Sequence, residues 1–205
     1  CVVLADAPLY KLYLQKKYKP YTTKQLIKLL KHILMTVPYY CRVQRVIRDI
    51  PKQSIMAGSR VSNLKEYVYK ELRQENLIPR DIRTREIQDN YEQNEKIFLH
   101  EEEYKASNGI EIFLSFENQN RTKLYSLLRL RIPSYMFTKQ KPIIKNLQNC
   151  AIIREVHTYG QVTPLKQTLL APQHRGLGKT LIAQAENLAK QKYGLNKIAI
   201  ISGIG

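Results

Sequence analysis

The run from Gln173 to Lys179 (Q-H-R-G-L-G-K) sets Gly176 and Gly178 among polar and cationic side chains. It opens a stretch in which Leu181, Ile182, Ala185, Leu188 and Ala189 recur at helical spacing, so a helix is expected over 177–192. The first turn of a helix holds backbone N–H groups with no intrahelical partner and the positive end of the helix dipole. Glycine there lets the main chain come within contact distance of an anion. The amides of Leu177, Gly178 and Lys179 are therefore expected to cradle a pyrophosphate. Gln173 and Arg175 can add polar or charged contacts to its oxygens. His174 either meets a phosphate or caps the loop. Gly178-Lys179-Thr180 copies the end of a nucleotide-binding P-loop, but Gln173 stands where that motif needs its first glycine. A turn shaped by two glycines and nothing more is the plain alternative.

A second group lies upstream. Glu155 and His157 alternate with Val156, so in a strand they share one face. A carboxylate and an imidazole side by side can serve as base and orienting partner for an attacking amine or water. The rival reading is a packed, hydrogen-bonded pair. His32 and His100 read as structural.

The elements that must position these residues can be read from the pattern. Residues 151–162 and 197–205 are β-branched and apolar enough for strands on either side of the helix. Strand, glycine-rich turn, helix and strand form a βαβ unit with parallel strands. Further upstream, Val2 to Ala5 reads as a short strand running into a loop at Ala7-Pro8. Thr22 or Thr23 caps a helix that Pro38 ends near Val37, buried through Leu26, Ile27, Leu30, Ile33 and Leu34. Arg42 to Ile47 suits a strand end carrying basic groups, and Asn63 caps a second helix to about Glu75, with Glu66 and Lys70 at i,i+4 spacing. This alternation suits the tail of an α/β barrel. From Ile82 strand signals dominate until Leu177.

The pattern Q/R-x-x-G-x-G/A at Gln173, Gly176 and Gly178 resembles the acetyl-CoA pyrophosphate motif of GNAT acetyltransferases. Four segments narrow the likeness: Arg154–Gly160 (R-E-V-H-T-Y-G), Gln173–Gly178, Ala185–Ala189 (A-E-N-L-A) and Lys197–Gly205 (K-I-A-I-I-S-G-I-G). They resemble the acetyltransferase domain of the Elongator catalytic subunit family, which modifies the wobble uridine of tRNA. Glu111–Glu117 and Leu127–Arg131 are similar to its early acetyltransferase strands. Tyr18–Thr23, Arg42–Pro51, Val61–Lys65 and Arg80–Ile87 resemble the end of its radical-SAM domain and the linker that follows.

The resemblance implies a fold and an activity. The fold is α/β: residues 1–85 supply the C-terminal part of a radical-SAM barrel and linker, and residues 86–205 an incomplete GNAT domain. The activity is acetyl-CoA-dependent tRNA wobble-uridine modification, with an ordinary lysine or small-amine acetyltransferase as the alternative. A basic RNA-binding module that has lost acetyl-CoA is a third reading, opposed by the intact glycine motif. Glu155, Val156, His157 and Thr158 match the strand whose backbone pairs with the pantetheine arm, between two strands that splay apart. The family's S-adenosylmethionine and [4Fe-4S] cluster need a Cys-x-x-x-Cys-x-x-Cys signature that this sequence does not contain. The linker reads Pro79-Arg80-Asp81-Ile82-Arg83-Thr84, so no linker metal site is expected. The chain runs from Cys1 to Gly205, where the family continues, and the expectation is a fragment that is inactive and poorly stable alone.

Charge supports a polyanion partner, tRNA, with other Elongator subunits as further partners in a eukaryote. The net charge is +17, unevenly spread. Residues 1–39 carry seven Lys and Arg against one acid, and residues 119–205 carry fourteen against two, while residues 86–118 reverse the sign. Arg42, Arg45, Arg48 and Lys52 form the basic cluster expected on RNA phosphates. Salt bridging through Asp49 is its structural rival. No apolar run reaches the roughly eighteen residues of a membrane span. The expected compartment is the cytoplasm, with a nuclear pool in a eukaryote. Three widely spaced cysteines, Cys1, Cys41 and Cys150, oppose a disulfide framework and a zinc site alike, so no metal is expected.

Overall fold

The computed structural model describes residues 2–44, 48, 50–61, 63–87, 95–138, 140–160 and 176–202. The chain divides into two compact units, Cys1–Thr84 and Arg85–Gly205. Both are mixed α/β, and among the described residues neither contains a closed barrel.

In the first unit, β1 (Val3–Leu4) pairs antiparallel with β2 (Ile55–Ala57). Between them run α1 (Pro8–Leu14) and α2 (Thr23–Thr36), and α3 (Leu64–Gln74) follows β2. The segment expected as a loop at Ala7-Pro8 is the start of α1. Proline at the first helical position has a φ already suited to the helix and no N–H to leave unpaired. Thr22, not Thr23, caps α2 in a reciprocal box with Gln25, while the Thr23 hydroxyl bonds that of Ser59 at 2.9 Å. Asn63 precedes α3 without a capping bond from its side chain, its backbone lying outside the extended conformation that aims a cap at the second or third amide. Arg42 to Gln44 form no strand, and Arg45 to Ile47 lie outside the described residues.

Helices α2 and α3 bury their apolar stripes against each other through Leu34, Val68 and Leu72, with Ile27, Leu30 and Tyr69 around them. Lys31 reaches from α2 to Glu71 on α3 and to Glu75 just after it, at 3.2 and 2.5 Å. The four-residue helix α4 (Ile82–Arg85) crosses the boundary between the units in sequence.

The second unit is one five-stranded sheet with a single long helix. Its strands are β3 (Ile97–Ala106), β4 (Gly109–Asn118), β5 (Leu124–Ile132), β6 (Ala151–Thr158) and β7 (Ile198–Ile200), in that spatial order. Pairings are antiparallel except β6 with β7, which α5 (Leu177–Tyr193) joins as a parallel crossover. The strands expected at 111–117, 127–131, 151–162 and 197–205, and the helix expected at 177–192, are thus present, with some ends shorter.

Strand alternation sends Ile112, Leu114, Leu128, Leu130, Ile132, Ala151 and Ile153 to one face, where Leu181, Ala185 and Ala189 of α5 cover them. The far end of α5 is clamped to the edge strand: Lys192 and Tyr193 both bond Glu103 of β3, at 2.5 and 2.8 Å. The Lys192 hydrogen bond outweighs burial and holds the Glu103 carboxyl below its ordinary range. Glu103 sits opposite Ile112 in the ladder, hence on the helix face.

The other face, the polar one, carries the ionic groups beside buried Phe113 and Leu127. Glu117, fully buried, receives bonds from Arg85, Arg121 and Ser115 at 2.8, 2.8 and 2.7 Å. Burial alone would raise its pKa, but the Arg121 hydrogen bond and the charge of Arg85 carry it below the ordinary range.

Candidate functional site

Gly176 stands at the N-cap of α5 with φ +68°, the left-handed region that glycine enters at little cost. Its carbonyl accepts the first helical bond, from the Thr180 amide at 3.0 Å. Leu177 is buried and anchors the turn beneath, while Lys179 is exposed. A Cβ on Gly178 would lie 3.4 Å from Thr158 Oγ1 and 4.0 Å from Val156 Cγ1, so the helix entrance passes close over the end of β6. The free amides of the first turn thus open beside Val156 and Thr158. Gln173 and Arg175 lie outside the described residues.

The β6 strand changes course just where this happens. Its parallel ladder with β7 runs from Ala151 opposite Ile198 to Ile153 opposite Ile200, and the Ile201 amide donates to Ile153 O at 3.0 Å. Beyond Ile153, the described residues of β6 pair only with β5. On that side the register slips, with Leu130 facing Ile153 and Arg129 facing Glu155. Arg154 is therefore an extra residue, a β-bulge, and both Arg154 and Glu155 turn to the polar face. Val156 and Thr158, facing Leu128 and Ser126, return to the helix face. The bulge and the end of the parallel ladder coincide, leaving the β7 side of residues 155–158 without a strand partner among the described residues.

Glu155 and His157 do share a face, as their alternation requires, but it is the face opposite α5. Glu155 is ion-paired with Arg129 at 2.9 Å, and Arg129 also lies 5.2 Å from the centre of the Phe113 ring. His157 is exposed, with its ring 4.3 Å from that of Tyr159, whose hydroxyl donates to Glu86 at 2.9 Å. Ser126 is buried and its hydroxyl donates to the His157 carbonyl at 2.9 Å, with Thr158 Oγ1 3.0 Å away. The backbone around His157 is thus held from beneath.

The structure brings Val156, Thr158, Gly176, Leu177, Gly178 and Lys179 together, and places Glu155 and His157 across the strand from them. Arg129, Arg131 and Glu111 on the polar face were not singled out from sequence. The alternation Leu128, Arg129, Leu130, Arg131 carries the signal, because its cations must share a face. Their partners on neighbouring strands come only from register. In the first unit Arg42 is half-buried while Arg48 and Lys52 are exposed; Arg45 and Asp49 lie outside the described residues. No helix among the described residues is long and apolar enough to cross a membrane.

Comparison with known proteins covers the whole chain. The Radical_SAM C-terminal domain family matches residues 1–74. The tRNA uridine(34) acetyltransferase of Methanocaldococcus jannaschii is 36% identical over 214 residues, covering 100% of this chain and 38% of that protein. Elongator complex protein 3 of Saccharomyces cerevisiae is 37% identical over 209 residues, covering 100% of this chain and 37% of that protein. The solved structure of archaeal Methanocaldococcus infernus Elp3 with an N-terminal deletion superposes with a TM-score of 0.75 at 33% identity, over 98% of this chain and 48% of that one. The chain thus spans less than half the length of the relatives it matches. Likeness in sequence from end to end, together with likeness in fold, shows that this chain belongs to the family of Elongator complex protein 3 and the tRNA uridine(34) acetyltransferases.

Proposed function

We propose that residues 86–205 are the GNAT-type acetyltransferase part of a tRNA wobble-uridine-modifying enzyme, and residues 1–85 the end of its radical-SAM domain with the linker. The observation that carries this reading is the helix entrance at Gly176–Lys179 beside the released edge of β6. The glycine-bearing start of α5 beside Thr158 and the open backbone edge of residues 155–158 fit a pyrophosphate followed by an amide-bearing pantetheine arm. Leu177, Gly178 and Lys179 hold the pyrophosphate through their amides, with Gln173 and Arg175 beside it. Glu155, Val156, His157 and Thr158 hold the arm through their main chain. Acetyl-CoA supplies a two-carbon acyl unit activated as a thioester.

Glu155 is occupied by Arg129, which suits a fixed geometry better than a free base, and His157 stands exposed on the same face. Arg42, Arg45, Arg48 and Lys52 contact the tRNA backbone. The S-adenosylmethionine and iron–sulfur cluster belong to the part of the full-length protein that carries the cysteine signature. The protein works in the cytoplasm, with other Elongator subunits as partners in a eukaryote.

The test is acetyl-CoA hydrolysis by the full-length parent protein, with and without tRNA, in the wild type and in Gly176→Glu and Gly178→Glu variants. Hydrolysis that requires tRNA and disappears in the variants is expected. Turnover indifferent to tRNA but stimulated by a lysine peptide would replace this reading with that of an ordinary acetyltransferase.

A further inference from the structure

We propose that Glu111 is a positioning residue for the acetyl-CoA seat, acting at a distance by fastening the β6 bulge; this rests on the function proposed above. A chain of bonds leads to it from the rigid end of the sheet. The β3–β4 hairpin turns through Ser107 and Asn108, both with positive φ, and its carbonyls hold an arginine. Arg131 donates to Ala106 O at 2.6 Å and to Ser107 O at 3.0 Å. Gly109 leaves room for it, since a Cβ there would fall 2.7 Å from the Arg131 guanidinium. Arg131 thereby presents a fixed cation 3.5 Å from Glu111 Oε1, and the same oxygen accepts from Arg154 at 2.6 Å.

Arg154 is the inserted residue of the bulge. Its side chain is 52% exposed, whereas that of Glu111 is 3% exposed. An exposed arginine would ordinarily be free to swing, and the buried carboxylate pins it to the polar face. Glu155 next to it is pinned to that face by Arg129. Two consecutive residues tied to one face are what a bulge requires, and this one falls where β6 parts from β7. Removing the Glu111 charge frees Arg154, leaving Glu155 alone to hold the bulge. The bulge then loosens, and the backbone of residues 155–158 that faces the cofactor is held less firmly.

Glu117 provides the internal control. It is equally buried, on the same face of the same strand, and bonded to two arginines, but none of its partners lies on β6. In the full-length protein, Glu111→Gln, Glu117→Gln and Arg154→Met should be compared by acetyl-CoA titration calorimetry and by hydrogen exchange of the unliganded proteins. Glu111→Gln is expected to weaken acetyl-CoA about tenfold and to speed exchange in the peptide 154–160. Glu117→Gln should lower the unfolding midpoint and leave both readouts at wild-type values. Arg154→Met, a change at an exposed side chain, should move affinity and exchange in the same sense as Glu111→Gln even where that variant folds poorly. Equal losses in Glu111→Gln and Glu117→Gln, or wild-type values for Arg154→Met, would overturn the assignment. A wild-type protein that binds no acetyl-CoA would instead remove the functional reading beneath it.

Discussion

Alanine at Gly176 and alanine at Gly178 should move stability in opposite directions, because the two glycines serve different ends. At Gly176 a Cβ would meet nothing within 4 Å among the described residues, so the cost is conformational. Holding alanine at φ +68° costs roughly 1–2 kcal/mol. Gly178 is the second residue of α5, where alanine improves helix propensity by up to about 1 kcal/mol. Its added methyl would rest at ordinary contact distance from Thr158 and Val156. The two variants should therefore differ by about 2 kcal/mol, or about 1 M in urea midpoint for a slope near 2 kcal/mol per M.

Ligand binding should divide the two variants as well. The Gly178 methyl would rest against Thr158 and Val156, and the pattern Q/R-x-x-G-x-G/A admits alanine at that position, so Gly178→Ala should bind acetyl-CoA as wild type does, while the strain at Gly176→Ala disturbs the first-turn amides and should weaken it. Urea titration of the full-length protein, read by circular dichroism, and calorimetric titration with acetyl-CoA test both halves. Midpoints that shift the same way for both variants, or a loss of acetyl-CoA affinity in Gly178→Ala, would refute the reasoning.

Leu181→Ala should cost about 2–5 kcal/mol, since Leu181 is fully buried between α5 and the sheet and its removal leaves a cavity; an unfolding midpoint unchanged within error would contradict the packing. Acid should destabilise the second unit in two stages. Burial, with the nearby Arg121 charge, holds the His100 pKa below its ordinary 6.5, and ion pairing holds Glu117 and Glu103 below 4.5. In each case the unfolded chain binds the proton more readily, so stability falls as pH decreases, beginning near 6.5 for His100 and steepening below 4.5 for the carboxylates. Urea midpoints measured across that range should decline monotonically, and a rise between about pH 7 and about pH 5 would count against the burial of His100.

Helix α5 and the strands before and after it were legible in the sequence because local chemistry specifies them. The stripe from Leu181 to Ala189 can bury only as a helix, and Gly176 and Gly178 mark its entrance by residue type alone. The cap at Thr22 was legible within one residue for the same reason, as was the shared face of Glu155 and His157. The start of α1 was missed because Ala7-Pro8 reads as a loop until the residues after proline are known to continue as a helix.

Which face Glu155 and His157 share could not be read from alternation. One extra residue at Arg154 reverses the parity of everything after it, and a bulge is a property of two strands in register. Nor could the sequence join Arg131, Glu111 and Arg154, which come from three strands. A period-two pattern says which residues lie together along a strand, and only pairing says what stands opposite. The sequence alone determined that a glycine-bearing helix entrance follows a strand carrying a carboxylate and an imidazole. Tertiary structure decided that those two groups face away from the entrance, and that a buried carboxylate on β4 secures the bulge that turns them.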